Sequence, residues 1–339
     1  MLDSILVTGG AGFIGRHLAR LLHEQGHQVT ALDCMDNANA QFGRRELEEA
    51  GIATLEGSVA DIALMRRLVD SHQTIVHLAA PTVGVEQMLK TPVSQANALN
   101  NAVSLAAMLT SDHTMLFSST SDTYGLHSLH YGDKPMAEDD LTVYESPTVS
   151  RWNYSKIKSI SEDVFAESAA RSTSVRIFNT YGPGFDYPEA RRVIPQFTAA
   201  VFAGTPMRIS GDGRQHRAYC YITDLVEGIN RALSHTRTLP VGGNFAVNIG
   251  NPDEYLSVRD LADLIADLAV AEGFVQQRPE IVMDSYEYSE RFNDTWNRCP
   301  DITRAKQVLD YRPTVSVRDG VLKVLEFHAE QASIAPAMS

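Results

Sequence analysis

Tyr154 and Lys158, in Tyr-Ser-Lys-Ile-Lys, stand four positions apart and share one face of a helix if the segment is helical. A phenol ordinarily titrates near pH ~10. A neighbouring ammonium and any positive ring bound beside it both favour the phenolate, so the expectation is a lowered Tyr154 pKa. Such a phenolate can take the proton of a substrate hydroxyl while hydride leaves the same carbon. Lys156 is two positions off that face and reads as a surface residue. A second cluster lies in Phe-Ser-Ser-Thr-Ser-Asp-Thr-Tyr-Gly, residues 117–125. There Thr120 is placed to hydrogen-bond the reacting hydroxyl, and Ser121 and Asp122 add a hydroxyl and a carboxylate. The plainer reading of these polar residues is ordinary capping of a turn.

A third group surrounds Thr-Gly-Gly-Ala-Gly-Phe-Ile-Gly, residues 8–15. Gly9, Gly12 and Gly15 allow a tight turn and close approach of backbone to a pyrophosphate, with a helix N-terminus facing the charge. Phe13 and Ile14 belong to the same turn. Asp33 ends the next apolar run, where a carboxylate accepts from ribose hydroxyls and repels a 2′-phosphate, favouring NAD over NADP. Arg16 follows the last glycine and is expected near phosphate.

These groups need a scaffold. Apolar runs at Ile5–Thr8, Gln28–Leu32, Thr54–Glu56, Thr74–Leu78, Met115–Phe117 and Ser174–Phe178 read as strands. Helical stretches at 13–25, 61–70, 92–110 and 154–171 lie between them. The alternation implies an α/β fold: a doubly wound parallel Rossmann sheet, covered on both faces. Past residue 180 glycines and prolines punctuate the chain. Helical patches at 193–203, 223–234 and 257–271 sit among short strands such as Phe245–Ile249. We read residues 1–180 as the NAD-binding domain and 181–330 as a smaller α/β part, mainly substrate-binding. The chain is free to cross between them, and a flexible tail covers 331–339.

The chain has 339 residues, 44% hydrophobic, with a formal charge of −13. That balance argues against a nucleic-acid or membrane partner. Its cysteines, Cys34, Cys220 and Cys299, are odd in number and far apart, so neither a disulfide framework nor a metal site is expected. No leader pattern opens the chain, and no apolar run approaches the ~20 residues that span a bilayer. A reducing, cytoplasmic setting is the expectation.

With these residues in view, the chain resembles the extended short-chain dehydrogenase/reductases, in their nucleotide-sugar epimerase, dehydratase and decarboxylase branch. The resemblance runs from about residue 4 to 325. It rests on TGGAGFIG (8–15), HLAA (77–80), SSTSDTYG (118–125), YSKIK (154–158), RIFNTYGPG (176–184), GDGRQHRAYCYITDL (211–225) and NRCPDI (297–302). It implies that Leu78, Ala79 and Ala80 line the cofactor and that Phe178 packs near the nicotinamide. It also puts Ser58, beside Val59, where an aspartate usually meets the adenine. Asn179 and Arg217 would hold the diphosphate of the substrate, with Arg192 a further candidate.

Within this branch, simple 4-epimerases carry small residues where Ser121 and Asp122 stand. Hexose 4,6-dehydratases carry Asp-Glu, and UDP-glucuronate decarboxylases Ser-Glu. The Ser-Asp found here lies nearest the last. Arg151-Trp152-Asn153-Tyr154 resembles the Arg-Trp-x-Tyr start seen in some of those decarboxylases. Arg298 matches an arginine they place near the glucuronate carboxylate. The expected function is therefore oxidation at sugar C4 followed by loss of CO₂ from a UDP-linked uronate. A 4-epimerase and a 4,6-dehydratase are the alternatives, and a non-catalytic NAD sensor is the reading from another class. A homodimer through helices 92–110 and 154–171 is implied by the same likeness.

Overall fold

In the computed structural model, residues 3–80, 92–146, 152–184, 192–285 and 295–334 are described. The first half runs β1 (Ser4–Thr8), α1 (Phe13–Glu24), β2 (Gln28–Asp33), α2 (Ala38–Glu49), β3 (Ala53–Glu56), α3 (Ile62–Ser71), β4 (Thr74–His77) and α4 (Pro92–Ala106). It continues with β5 (Thr114–Thr120), a 3₁₀ turn at Ser121–Tyr124, α5 (His127–Tyr131), α6 (Asn153–Ala166) and β6 (Arg171–Ile177). The second half adds β7 (Thr180–Tyr181), α7 (Val193–Ala203), β8 (Met207–Ser210), β9 (His216–Ala218), β10 (Cys220–Tyr221) and α8 (Ile222–Thr236). It ends with β11 (Asn244–Ile249), β12 (Tyr255–Ser257), α9 (Val258–Ala271), β13 (Ile281–Asp284), β14 (Asn297–Arg298), α10 (Thr303–Leu309) and α11 (Val317–Ile334).

Seven strands form one sheet in the order β3-β2-β1-β4-β5-β6-β11, every pair parallel. Side chains alternate between its two faces. Ile5, Val7 and Leu116 pack with Leu18 and Leu22 of α1 and Leu225 of α8. Leu6, Ile75 and Met115 pack on the other side with Met65, Leu105 and Phe165 of α3, α4 and α6. Both faces are dry, which explains strands that read as continuous apolar runs. The strand order reverses at β1 and β4, so a crevice opens beyond their C-terminal ends, where such sheets bind ligands.

Three differences from the sequence reading have physical causes. Helix α2 was not foreseen; its polar surface and internal Gly43 hide it, although Asn37 caps it by accepting from the Ala40 N–H at 2.9 Å. Strand β5 extends through Ser118 and Ser119 to Thr120, because these hydroxyls are accommodated inside the sheet. Strand β11 was assigned to the smaller part but pairs with β6, and α8 packs on the same sheet. The chain thus returns to the large sheet after residue 180. The tail is helical as far as Ile334, and its remainder lies outside the described residues.

The smaller part holds β12-β9-β14, the parallel pair β8 and β13, and helices α7, α9 and α11. No helix among the described residues is long and apolar enough to cross a membrane. Among the described residues no group of three His, Cys, Asp or Glu side chains could hold a metal ion.

Candidate active site

The glycine turn follows β1 directly. Gly9 has φ +69, and a Cβ there would stand 2.8 Å from the Ala79 nitrogen. A Cβ on Gly15 would run into the Gly9 carbonyl. Only glycine permits this geometry, which brings the turn against Leu78–Ala80 and aims the α1 N-terminus into the crevice. Gly12 is the N-cap of α1 and lends it no side-chain cap. Phe13 turns its ring into the core, 6% exposed, so it offers the site only backbone; Ile14 packs half-buried beside that core.

Asp33 ends β2 and accepts from the Ala11 N–H at 3.2 Å, fixing its carboxylate beside the turn. Ser58 is exposed just past β3, its hydroxyl accepting from Ala60 N–H, with Val59 half-buried next to it. Glycine cradle, helix terminus and acidic residue fit NAD together. Arg16 does not serve phosphate as expected. It is 1% exposed, pairs with Glu46 at 2.9 Å, and donates to Asn39 and to the Gly184 carbonyl. Its stem and guanidinium tie α1 to α2 and to the loop after β7.

Tyr154 and Lys158 lie on α6, whose start is anchored by the fully buried Trp152; its Nε1–H donates to Glu145 at 2.9 Å. Arg151, the first residue of that motif, lies outside the described residues. Tyr154, Lys158, His77, Ala79, Ala80 and Ala98 line one small cavity. Lys158 donates to the Ser118 carbonyl at 2.6 Å and sits over the Phe117 ring. Burial pushes its ammonium down to about 8, and Glu162 opposes that. His77 is held by the Thr8 hydroxyl at 2.7 Å, and burial beside Lys158 pushes its imidazole down to about 3, so it is neutral. Lys156 is half-buried over the Tyr144 ring and takes no part, rather than standing on the surface.

The expected fall in the Tyr154 pKa is not what the protein's own groups produce. Burial pushes the phenol up to about 12 and Asp122 adds to the rise, while Arg192 opposes it. The Lys158 ammonium lies 5.9 Å from the tyrosine ring centroid and is engaged by Ser118. A positive nicotinamide ring bound beside Tyr154 would pull the other way.

Thr120 ends β5, and its hydroxyl accepts from the Asp122 N–H at 3.2 Å, capping the 3₁₀ turn. The plainer capping role therefore holds alongside any contact with substrate. Ser121 is buried. Asp122 reaches across the cleft to Arg298, its Oδ1 2.6 Å from Nη2. Arg298 on β14 is in register with Arg217 on β9, so the two arginines stand side by side on one small sheet. Arg217, 7% exposed, donates to the His216 carbonyl at 2.8 Å. Asn179 is half-buried between β6 and β7, and its carbonyl accepts from Cys220 N–H. Phe178 is 2% exposed against Tyr124. Arg192 is exposed at the start of α7.

Residues 5–250 match the NAD dependent epimerase/dehydratase family. The chain belongs to that family. An epimerase/dehydratase-family enzyme uses NAD, which agrees with Asp33 at the end of β2. The chain is 32% identical to a UDP-N-acetyl-alpha-D-glucosaminuronate decarboxylase of Bacillus cytotoxicus, covering 96% of this chain and 97% of that one. It is 28% identical to UDP-glucuronic acid decarboxylase 1 of Danio rerio, over 96% of this chain and 73% of that one. Among solved structures it is similar to UDP-glucose 4-epimerase of Thermotoga maritima, crystallised with UDP-glucose. That similarity has a TM-score of 0.79 and 27% identity, over 97% of this chain and 99% of that one.

Proposed function

We propose that the protein removes CO₂ from a UDP-linked uronate through transient oxidation at C4. The observation that carries this reading is Arg298. One face of its guanidinium pairs with Asp122, and its Nε is buried without a hydrogen-bond partner. The idle N–H gives an incoming carboxylate a first contact, from which it can displace Asp122. Its register neighbour Arg217 suits the diphosphate, so the two cations would hold the two anionic ends of one substrate.

NAD, when bound, would supply the acceptor for the C4 hydride and its source at the end. Tyr154 takes the C4 hydroxyl proton, and Thr120 holds the same oxygen. The 4-ketone receives the electron pair of the C5–C6 bond as CO₂ departs. Asp122, released from Arg298 by the incoming carboxylate, would take up a proton from solvent and pass it to C5. Tyr154 then gives its proton back to the C4 oxygen. The balance is one proton consumed and one CO₂ released, with NAD unchanged.

Gly9, Gly12, Gly15, Asp33, Ser58 and Leu78–Ala80 would hold the cofactor, and Asn179, Arg192 and Arg217 the diphosphate. The likeness to decarboxylases acting on two different uronates supports the carboxylate as the recognised feature. A 4-epimerase is the second reading, favoured by the short Asp122, which is already held by Arg298. The test is product mass after incubation with UDP-glucuronate and with UDP-N-acetylglucosaminuronate. Loss of CO₂ supports the proposal; unchanged mass supports epimerisation.

Helices α4 and α6 pack on each other and leave Val103 and Ile160 exposed, which supports the homodimer. Three free thiols agree with a cytoplasmic setting.

A further inference from the structure

Tyr154, Lys158 and Glu162 follow one another at four-residue intervals, so all three lie along one face of α6. Each of the last two touches β5. Lys158 donates to the Ser118 carbonyl, and the Ser119 hydroxyl donates to Glu162 Oε1. Ser119 is in register with Arg176 on β6, and Arg176 with Asn248 on β11. These polar residues cross three strands in one row, one position short of where Thr120 ends β5. Arg176 donates to both Glu162 oxygens, at 3.0 and 2.8 Å, and to the Tyr124 hydroxyl at 3.1 Å. Tyr124 in turn donates to Asn248 at 2.7 Å. Glu162 is 8% exposed. A buried carboxylate in the middle of a sheet–helix interface is costly unless it is paired, and here it is fully paired.

We propose that Glu162 is a positioning residue. It locks the helix face that carries Tyr154 and Lys158 to the strand end that carries Thr120, and it keeps Lys158 protonated. The inference rests on reading Tyr154 and Lys158 as the proton-handling pair. Among the described residues, the titratable groups facing Lys158 are Tyr154 and Glu162 from its own helix and the neutral His77 from β4. Arg176 of β6 stands behind Glu162, and α4 contributes Ala98. Glu162 is the only anion in that set, and it acts against the burial that lowers the lysine. Helix register and lysine charge therefore depend on one side chain.

The test compares the whole wild-type protein with Glu162→Gln and Glu162→Asp. The chain has few lysines, so the titration of the Lys158 ammonium can be followed by nitrogen-15 NMR without any substrate. Turnover of UDP-glucuronate is measured in parallel. Glu162→Gln should move the Lys158 midpoint to lower pH and cut kcat about tenfold or more, with KM within about threefold. Glu162→Asp keeps the charge but draws it back, so the midpoint should hold while kcat falls. A purely structural role would leave the Lys158 midpoint unmoved in Glu162→Gln, and that result overturns the proposal. So does wild-type kcat in both variants. If Glu162→Gln does not fold, Glu162→Asp and Ser119→Ala carry the test through kcat. Failure of wild type to release CO₂ bears on the proposed reaction instead, since the lysine titration is read without substrate.

Discussion

Asp122 and Arg298 meet across the cleft, Oδ1 and Nη2 2.6 Å apart, with side chains only 14% and 12% exposed. The pair joins the turn after β5 to the small sheet that also carries Arg217. A uronate reaching Arg298 must compete with the carboxylate already there. Binding would thus free Asp122 only when the substrate brings its own carboxylate.

Arg298→Met should lower kcat/KM for UDP-glucuronate about 100-fold or more, as expected when one partner of a shielded charge pair is removed. Affinity for UDP alone should change little, because the diphosphate is assigned to Arg217. The variant should also unfold more easily, by about 1–3 kcal/mol, since Asp122 loses its counter-charge but is reached by some solvent. Steady-state kinetics, UDP titration and urea denaturation check the three parts separately.

Lys158 gives a prediction with a defined sign. Its folded pKa lies near 8, below the ordinary 10.5. The unfolded chain therefore binds more protons between these values, and stability rises with pH across that window. Below pH 8 the penalty of the buried ammonium is present in full. Lys158→Met should stabilise the fold at pH 7 by about 1–3 kcal/mol and the gain should shrink toward pH 10.5, while turnover is lost. Thermal melts at several pH values test this; equal shifts at every pH would contradict it.

Asp33→Asn removes the charge proposed to meet the adenine ribose while keeping an acceptor for the Ala11 N–H. The preference for NAD over NADP should narrow about 10- to 100-fold. Isothermal titration with both cofactors reads the ratio. A preference as strong as wild type's would show that another group discriminates.

Much of this was legible because short-range signals agree. The glycine turn, Asp33 and the Tyr154–Lys158 spacing each combine a residue type with a fixed local geometry. What escaped reading is non-local. Nothing near Asp122 in the chain announces Arg298 on β14, or Arg176 behind Glu162. The Tyr-Lys-Glu spacing was a signal for Glu162, since it continues the helix face by one more turn. Arg16 was misread because proximity in sequence to the phosphate turn does not fix direction; Glu46 and Asn39 on α2 draw it away. The lysine's share in lowering the Tyr154 pKa was overread, because burial outweighs a cation that is already bonded to Ser118.

Tyr154→Phe keeps the ring that lines the cavity and deletes only the oxygen. Turnover should drop about 100- to 10,000-fold, the range of a lost acid–base group, with unchanged melting. For the wild type with NAD bound, kcat should rise with pH as the phenol ionises, with a midpoint below about 12, the value set by the protein's own groups. A pH-independent rate would exclude the phenolate as base.

The most direct measurement uses UDP-glucuronate labelled with carbon-13 at C6, incubated with the NAD-loaded protein, while the headspace and the nucleotide sugar are followed together. The account predicts labelled CO₂ in equal amount to a UDP-pentose that retains no label, and neither product from Tyr154→Phe. Label that stays in a nucleotide sugar of unchanged mass, or of mass lowered by water, would contradict it.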